Sequence, residues 1–376
     1  MKKKELIKLR HSLHKEPELS NKEFKTSARM REFLKPTCPD QTLEIGPTGF
    51  LLIYEGPKPG PTLVFRAELD ALPIREQNEV SYRSRNQGVA HVCGHDGHMA
   101  ILAGLGQTIA DKRPLRGKAV LLFQHAEEVE QGAFDIVENK KFKSLKPDYV
   151  FALHNIPGAE MHRIIVRSGT MTAASRGMTV KLTGKSSHAA EPEKGINPAM
   201  AISKIIQSLD KLIKNKKQFL EHTLLTVIHI RLGEIAFGTS PGYAEIRCTL
   251  RAFRNEDMDK LVMELEKVIQ QISLENKLRY DISYTEEFPA TENDPGCVEM
   301  VTMAAAELDL DVDEPAIPYP WSEDFAYYTR EYNGCLFGLG SGIKQPALHN
   351  PDYDFPDALI ETGVRMFEKI YQKILL

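Results

Sequence analysis

The sequence predicts an α/β protein into which a small α+β domain is inserted, and three observations carry that prediction. Short apolar runs, TLVFR (62–66), KAVLLFQ (118–124) and DYVFAL (148–153), flank the helical stretch GHMAILAGLGQTIA. Buried strands alternating with helices indicate a mixed, largely parallel sheet covered by helices. From residue 177 the pattern changes to half-exposed strands and two amphipathic helices in the order β-α-β-β-α-β, the split-βαβ or ferredoxin-like module. A sheet-like run, GCLFGLGSG (334–342), then returns. The expected division is a larger α/β domain from 1–175 and 288–376, with 176–287 inserted as a smaller α+β domain.

The elements follow in order. Leu6, Leu9 and Leu13 repeat at helical spacing and stop before Pro17. Ser20 with Glu23 reads as a capping box ahead of Phe24, Ala28 and Phe33, and Pro36 ends that helix. The three apolar strands come next, with Asp96 as the expected N-cap of the helix between the first two. GMTVKLTG (177–184) alternates like a half-exposed strand. Asn197 and Pro198 read as cap and first position of a helix carrying Ile202, Ile205, Ile206 and Leu209 on one side. LLTVIHIRL (224–232) and AEIRCTLRAF (244–253) are strands. Met258, Leu261, Leu265, Val268 and Ile272 mark a helix, and RYDISYTEE (279–287) is the last strand.

Composition narrows the function. A chain of 376 residues with 42% hydrophobic and 27% charged residues is an ordinary globular sequence. Its formal net charge of -4 gives no reason to expect nucleic acid, and NKKFKSLK (139–146) and KLIKNKK (211–217) read as solvated faces without interleaved aromatics. No run is long enough to span a membrane, and the basic N-terminus lacks the apolar stretch of a secretory signal. Five scattered cysteines are not a disulfide framework, so the expected location is the cytoplasm.

The chemistry concentrates in HVCGHDGH (91–98), which packs a thiol and three imidazoles into eight positions of a chain with 12 histidines. No second Cys/His pair follows at a regular distance, which excludes a zinc finger. Partners for a divalent metal should stand where strands end, because side chains converge on that rim of an open sheet. HAEE follows one strand with Glu127 and Glu128, DYVFAL runs into His154 and Asn155, and TLVFR runs into AELD and Asp70. ALHNPDYDFPD brings His349 after the returning strand.

With those residues in view the chain resembles the metallo-amidohydrolases that include hippurate hydrolase, indole-acetyl-amino-acid hydrolases and N-acetyl-diaminopimelate deacetylase. These are a branch of the aminoacylase and carboxypeptidase family of dinuclear metallopeptidases. LRHSLHKEPELSNKE, RAELDALPI, HVCGHDGHMAILAG, FQHAEE, LHNIPG, GKSSHAAEPEKGINP, WSEDFAYY and LHNPDYDFPD carry the likeness across nearly the whole chain. The resemblance implies two divalent metal ions per subunit, zinc or manganese, with Cys93, His95, Glu128, His154 and His349 as ligands. It implies Glu127 as general base, Asp70 as an aspartate beside the metals, and His188 as a histidine steadying the oxyanion, often from the other subunit. Arg251 matches an arginine associated with the substrate carboxylate. The implied reaction is hydrolysis of the amide of a small-molecule N-acyl amino acid by a homodimer joined through the inserted domain.

Other readings stand beside these. Asp96 serves equally as a helix cap, His91 and His98 as hydrogen-bonded structural histidines, and Arg251 as a cross-strand partner of its neighbours on AEIRCTLRAF. The sequence also departs from its relatives: Glu68 stands where Asp is usual, His125 where Pro is usual, and Gly238 where many have a substrate-contacting Asn. A dipeptidase or carboxypeptidase with the same metal core is the rival enzyme, and a non-catalytic ligand-binding protein on this fold is the rival of another class.

Overall fold

The computed structural model describes residues 2–376, which form two compact units. The larger comprises the chain up to Met171, Thr291–Ile317 and Glu323–Leu376. Its mixed eight-stranded sheet holds β1 (Gln41–Ile45), β2 (Gly49–Glu55), β3 (Thr62–Glu68), β4 (Lys118–Gln124) and β5 (Tyr149–Pro157), with Asn333–Gly342 beside β5. The four central strands run in the order β4, β3, β5, Asn333–Gly342 and are mutually parallel. β2 joins β4 antiparallel. The carboxyl ends of the central strands therefore share one rim, where ligands of open α/β sheets bind.

Both faces of this sheet are covered. On one lie α1 (Lys3–Lys15), α2 (Phe24–Leu34), α3 (His95–Asp111) and the C-terminal helix Leu359–Leu375, around Leu6, Leu13, Phe65, Phe123 and Phe367. α3 is buried almost throughout, which explains why it reads as apolar on every side. A Cβ at Gly104 would stand 2.4 Å from a methyl of Val364, so glycine permits the close approach of α3 to the C-terminal helix. The other face buries Val64, Val120, Leu122 and Val150 beneath Ile136, Phe142, Phe325 and Tyr328.

Two expected helix caps are overturned. Ser20 Oγ donates to Asp70 Oδ2 at 2.7 Å, while Glu23, fully buried, accepts from the backbone of Asn21 and Ala126 and from Thr48 Oγ1. Tertiary partners have replaced the capping box, and no side chain caps α2. Asp96 lies inside the first turn of α3, after Gly94 at the cap position. Its carboxylate is fully buried, 2.8 Å from His14 Nδ1 and 3.7 Å from Arg10 Nε.

The second unit, Thr172–Ala290 with Pro318–Ser322, has a four-stranded antiparallel sheet. Its order is Thr223–Leu232, Tyr243–Ala252, Ala174–Thr183, Arg279–Phe288, the arrangement of a ferredoxin-like βαββαβ module. Helices Ala199–Lys214 and Asn255–Glu275 bury Ile202, Ile205, Leu261 and Leu265 against Val180, Leu182, Ile246 and Leu250. Asn197 Oδ1 accepts from Ala199 N at 2.9 Å, but the helix begins one residue later than expected, which puts Pro198 rather than Asn197 at the cap position. No helix among the described residues is long and apolar enough to cross a membrane.

Candidate metal centre

Five segments deliver side chains to the rim of the large sheet. Past β4, Ala126 adopts φ +50 and turns the chain so that Glu127 and Glu128 follow. Past β3 comes Asp70, fully buried. Gly94, at φ +103, sets Cys93 and His95 around the start of α3, and His154 stands within β5. His349, at φ +66, hangs from a loop whose backbone nitrogen donates to Val92 O at 3.0 Å. Left-handed conformations at two non-glycine residues of one site are the kind of local strain that functional sites hold in place.

The structure brings together all five expected ligands and the expected base. Donor atoms of Cys93, His95 and His154 lie within 4.8 Å of one another, as do those of Cys93, Glu128 and His349, and those of His95, Glu127 and Glu128. Cys93 Sγ is 3.4 Å from His154 Nε2. His95 Nε2 is 3.8 Å from both Glu127 Oε2 and Glu128 Oε1, and His349 Nε2 is 3.7 Å from Glu128 Oε2. The separations of 3.7–3.8 Å are too long for hydrogen bonds, and His95 Nε2 and Glu128 Oε1 are buried with no hydrogen-bond partner. Buried donor atoms that face one another without a hydrogen bond have the arrangement a shared cation would take. The histidines are oriented for it: His95 Nδ1 donates to Asp70 O at 2.9 Å and His154 Nδ1 to Asn155 O at 3.0 Å, which leaves each Nε2 lone pair directed inward. Asp70 braces both sides, since its Oδ2 accepts from Glu128 N at 3.0 Å.

The electrostatics point the same way. Burial, then Glu323 and Glu128, hold the Glu127 carboxyl well above the usual range. Burial, partly offset by His95, raises Glu128 to about 7, and burial followed by Glu128 and Glu127 pushes the Cys93 thiol up. Burial alone would lower His95, but Glu68, Asp70 and Glu128 outweigh it and raise the imidazole to about 10. His154, with burial dominant, is lowered to about 3. Crowded acids that resist ionisation beside an imidazole that resists losing charge describe a pocket built for positive charge. Divalent cations reverse those preferences by stabilising thiolate and carboxylates.

Reading the sequence missed the charged layer beneath this site. Arg66, fully buried in β3, donates to Gln124 Oε1 at 2.9 Å, to Glu323 at 3.0 Å, and to Glu68 and Asp324. Glu127, Glu323 and Asp324 bring carboxylate oxygens within 4.8 Å of one another. The available signal was an arginine closing an otherwise apolar strand together with the acidic pair in WSEDF. The remaining expected site residues lie in the second unit. His188 is exposed, its backbone paired with Thr239 and its Nδ1 accepting from Ala190 N at 3.1 Å. Arg251 Nη1 donates to Pro320 O at 2.7 Å and to Ser322 Oγ at 3.3 Å, holding the segment Pro318–Ser322 rather than a cross-strand carboxylate.

Residues 64–373 match the model of Peptidase family M20/M25/M40. The chain belongs to this family. Among M20 relatives, the N-acetyl-L-cysteine deacetylase of Bacillus subtilis is 32% identical over 371 residues, covering 97% of this chain and 87% of that protein. The hippurate hydrolase of Campylobacter jejuni is 28% identical over 373 residues, covering 99% and 97%. The crystal structure of a dinuclear metal binding M20 peptidase from Bacillus subtilis shares the fold with a TM-score of 0.85 at 24% identity, covering 99% of this chain and 98% of that one. A Staphylococcus aureus crystal structure, 27% identical, superposes with a TM-score of 0.93 over 100% of this chain and 97% of its own.

Proposed function

We propose that this M20 hydrolase cleaves the amide bond of N-acyl amino acids, releasing a carboxylate and a free amino acid, with Cys93, His95, Glu128, His154 and His349 holding two divalent cations and Glu127 acting as general base. The observation that carries the reading is the pair of buried, unpartnered donor atoms, His95 Nε2 and Glu128 Oε1, facing each other across 3.8 Å beside a thiol, two further imidazoles and a second carboxylate. The named activities of the deacetylase and the hippurate hydrolase support an N-acyl amino acid as the substrate class.

Divalent cations at this position supply Lewis acidity, making a water easier to deprotonate and an acyl carbonyl easier to attack. The protein supplies the proton path. Glu127 Oε2 stands beside His95 Nε2, and its burial with Glu323 and Glu128 raises its affinity for a proton. It takes one proton from the attacking water and passes it to the departing nitrogen, so that water's oxygen joins the acyl carbon as the C–N bond breaks. Asp70 keeps His95 and the Glu128 backbone in register. His188 steadies the developing oxyanion and Arg251 the substrate carboxylate, roles that rest on the family resemblance of their motifs.

Zinc suits the Cys93 thiolate, and manganese suits the oxygen and nitrogen donors. The homodimer is supported by the edge strand Thr223–Leu232, where Ile228, Ile230 and Leu232 are exposed and Ile235 and Phe237 beyond it are fully so. A cytoplasmic location is supported by five free cysteines, four of them buried. A Cβ at Gly238 would meet no atom within 4 Å, so packing does not forbid the asparagine of the relatives, and its loss bears on which substrates are taken.

The test is a panel of acetylated and benzoylated amino acids beside unblocked dipeptides, assayed with zinc or manganese. Turnover of the acylated compounds with Glu127→Gln inactive, by roughly 100- to 10,000-fold, and still binding metal is the expected result. Preferential cleavage of dipeptides overturns the substrate class, and an active Glu127→Gln variant overturns the base.

A further inference from the structure

We infer that Asn155 and His98 are positioning residues that fix the distance between the Cys93 sulfur and the His154 ring, by tying the turn 93–95 to β5 through a buried hydrogen-bond chain anchored on Glu68 and Arg66. The inference rests on the ligand set proposed above and adds residues that are not themselves ligands.

The contact begins at Gly94. A Cβ there would lie 2.3 Å from Asn155 Oδ1, so the Asn155 carboxamide occupies the space a side chain would need, directly beneath the turn that presents Cys93 and His95. Asn155 Nδ2 donates to Cys93 O at 3.0 Å and to Tyr353 Oη at 2.6 Å. A backbone carbonyl can only accept, which settles the orientation of the amide: its nitrogen faces Cys93 and its oxygen faces His98 Nε2 at 2.6 Å. His98 Nδ1 donates to Glu68 Oε2 at 2.7 Å, and the other oxygen of Glu68 receives Arg66. Arg66, Glu68, His98 and Asn155 are all at least 98% buried.

Two consequences follow. Glu68, His95 and His98 place donor atoms within 4.8 Å of one another, yet both His98 nitrogens and both Glu68 oxygens already have partners, so this trio braces the metal centre instead of extending it. Asn155 also accepts from His154 Nδ1 through its own carbonyl. One residue therefore grips the thiol-bearing turn with its side chain and the imidazole with its backbone, across the 3.4 Å gap between Cys93 Sγ and His154 Nε2. Glu68, longer by one methylene than the aspartate usual in relatives, spans from Arg66 to His98.

The test uses the full-length protein stripped with a chelator and titrated with Co²⁺, whose thiolate-to-cobalt absorption reports Cys93 directly. Asn155→Ala and His98→Phe should weaken cobalt binding about 10- to 100-fold and shift or diminish the thiolate band. Tyr353→Phe, which removes one contact to Asn155 and keeps the packing, should show a smaller change in the same direction, and it carries the test if the stronger variants fail to fold. Folded variants whose cobalt affinity and thiolate band match the unsubstituted protein overturn the inference, even if their melting temperatures fall. Absence of a thiolate band in the unsubstituted protein overturns the ligand set instead.

Discussion

Replacing His14 with Gln should flatten the alkaline side of the stability curve, because His14 joins α1 to the first turn of α3 by a proton-dependent contact. Burial by itself would lower the His14 imidazole. Asp96 at 2.8 Å and Glu76 at 3.1 Å outweigh burial and raise it from 6.5 to about 9. A group whose folded value is raised stabilises fully below its unfolded value and loses that contribution as pH climbs through the folded one. The window is therefore 6.5 to about 9, and a shift of that size corresponds to on the order of 3 kcal/mol. Gln keeps the helix and one N–H for a carboxylate but cannot titrate. Urea denaturation of the metal-free proteins between about pH 6 and about pH 9.5 should show the gap between parent and variant shrinking by that order as pH rises. A gap that stays constant across the range would refute the argument, since other titrating groups are common to both proteins.

Removing divalent cations should abolish hydrolysis and lower the melting temperature, and zinc or manganese should restore both. Because Glu128 is raised to about 7 and the Cys93 thiol is pushed up, cation binding must displace protons, so calorimetry in buffers of different ionisation enthalpy should detect proton release and an affinity that grows with pH. An affinity independent of pH would contradict it. Ile230→Lys, a charge on the exposed edge strand of the second unit, should convert the proposed dimer to monomer in sedimentation experiments. An unchanged mass would place any association elsewhere.

The parts of the fold visible in the sequence are those governed by local periodicity. TLVFR, KAVLLFQ and DYVFAL became the central parallel strands because apolar runs of that length are stable only when buried on both faces. The βαββαβ module was equally legible, since Ala244, Ile246, Cys248 and Leu250 point into its core and alternate with the more exposed Glu245, Arg247, Thr249 and Arg251. The caps were not. Ser20, Glu23 and Asp96 satisfy local capping rules, yet each has a side-chain hydrogen bond to a partner far along the chain, and none caps its helix.

The candidate site divides in the same manner. Residue types and their places after strands single out Cys93, His95, Glu127, Glu128, His154 and His349, because an open sheet gathers its strand ends on one rim whatever the loops do. Which atoms meet is a matter of tertiary structure alone. Arg66 reaches Glu323 across 257 residues of sequence, and Asn155 reaches the Cys93 carbonyl across 62. A hydrogen bond depends on a few tenths of an ångström and on direction, neither of which leaves a periodic trace in the order of amino acids. Residue order names the donor atoms and the rim on which they stand; packing of α3 against the sheet sets their separations and the buried network that braces them.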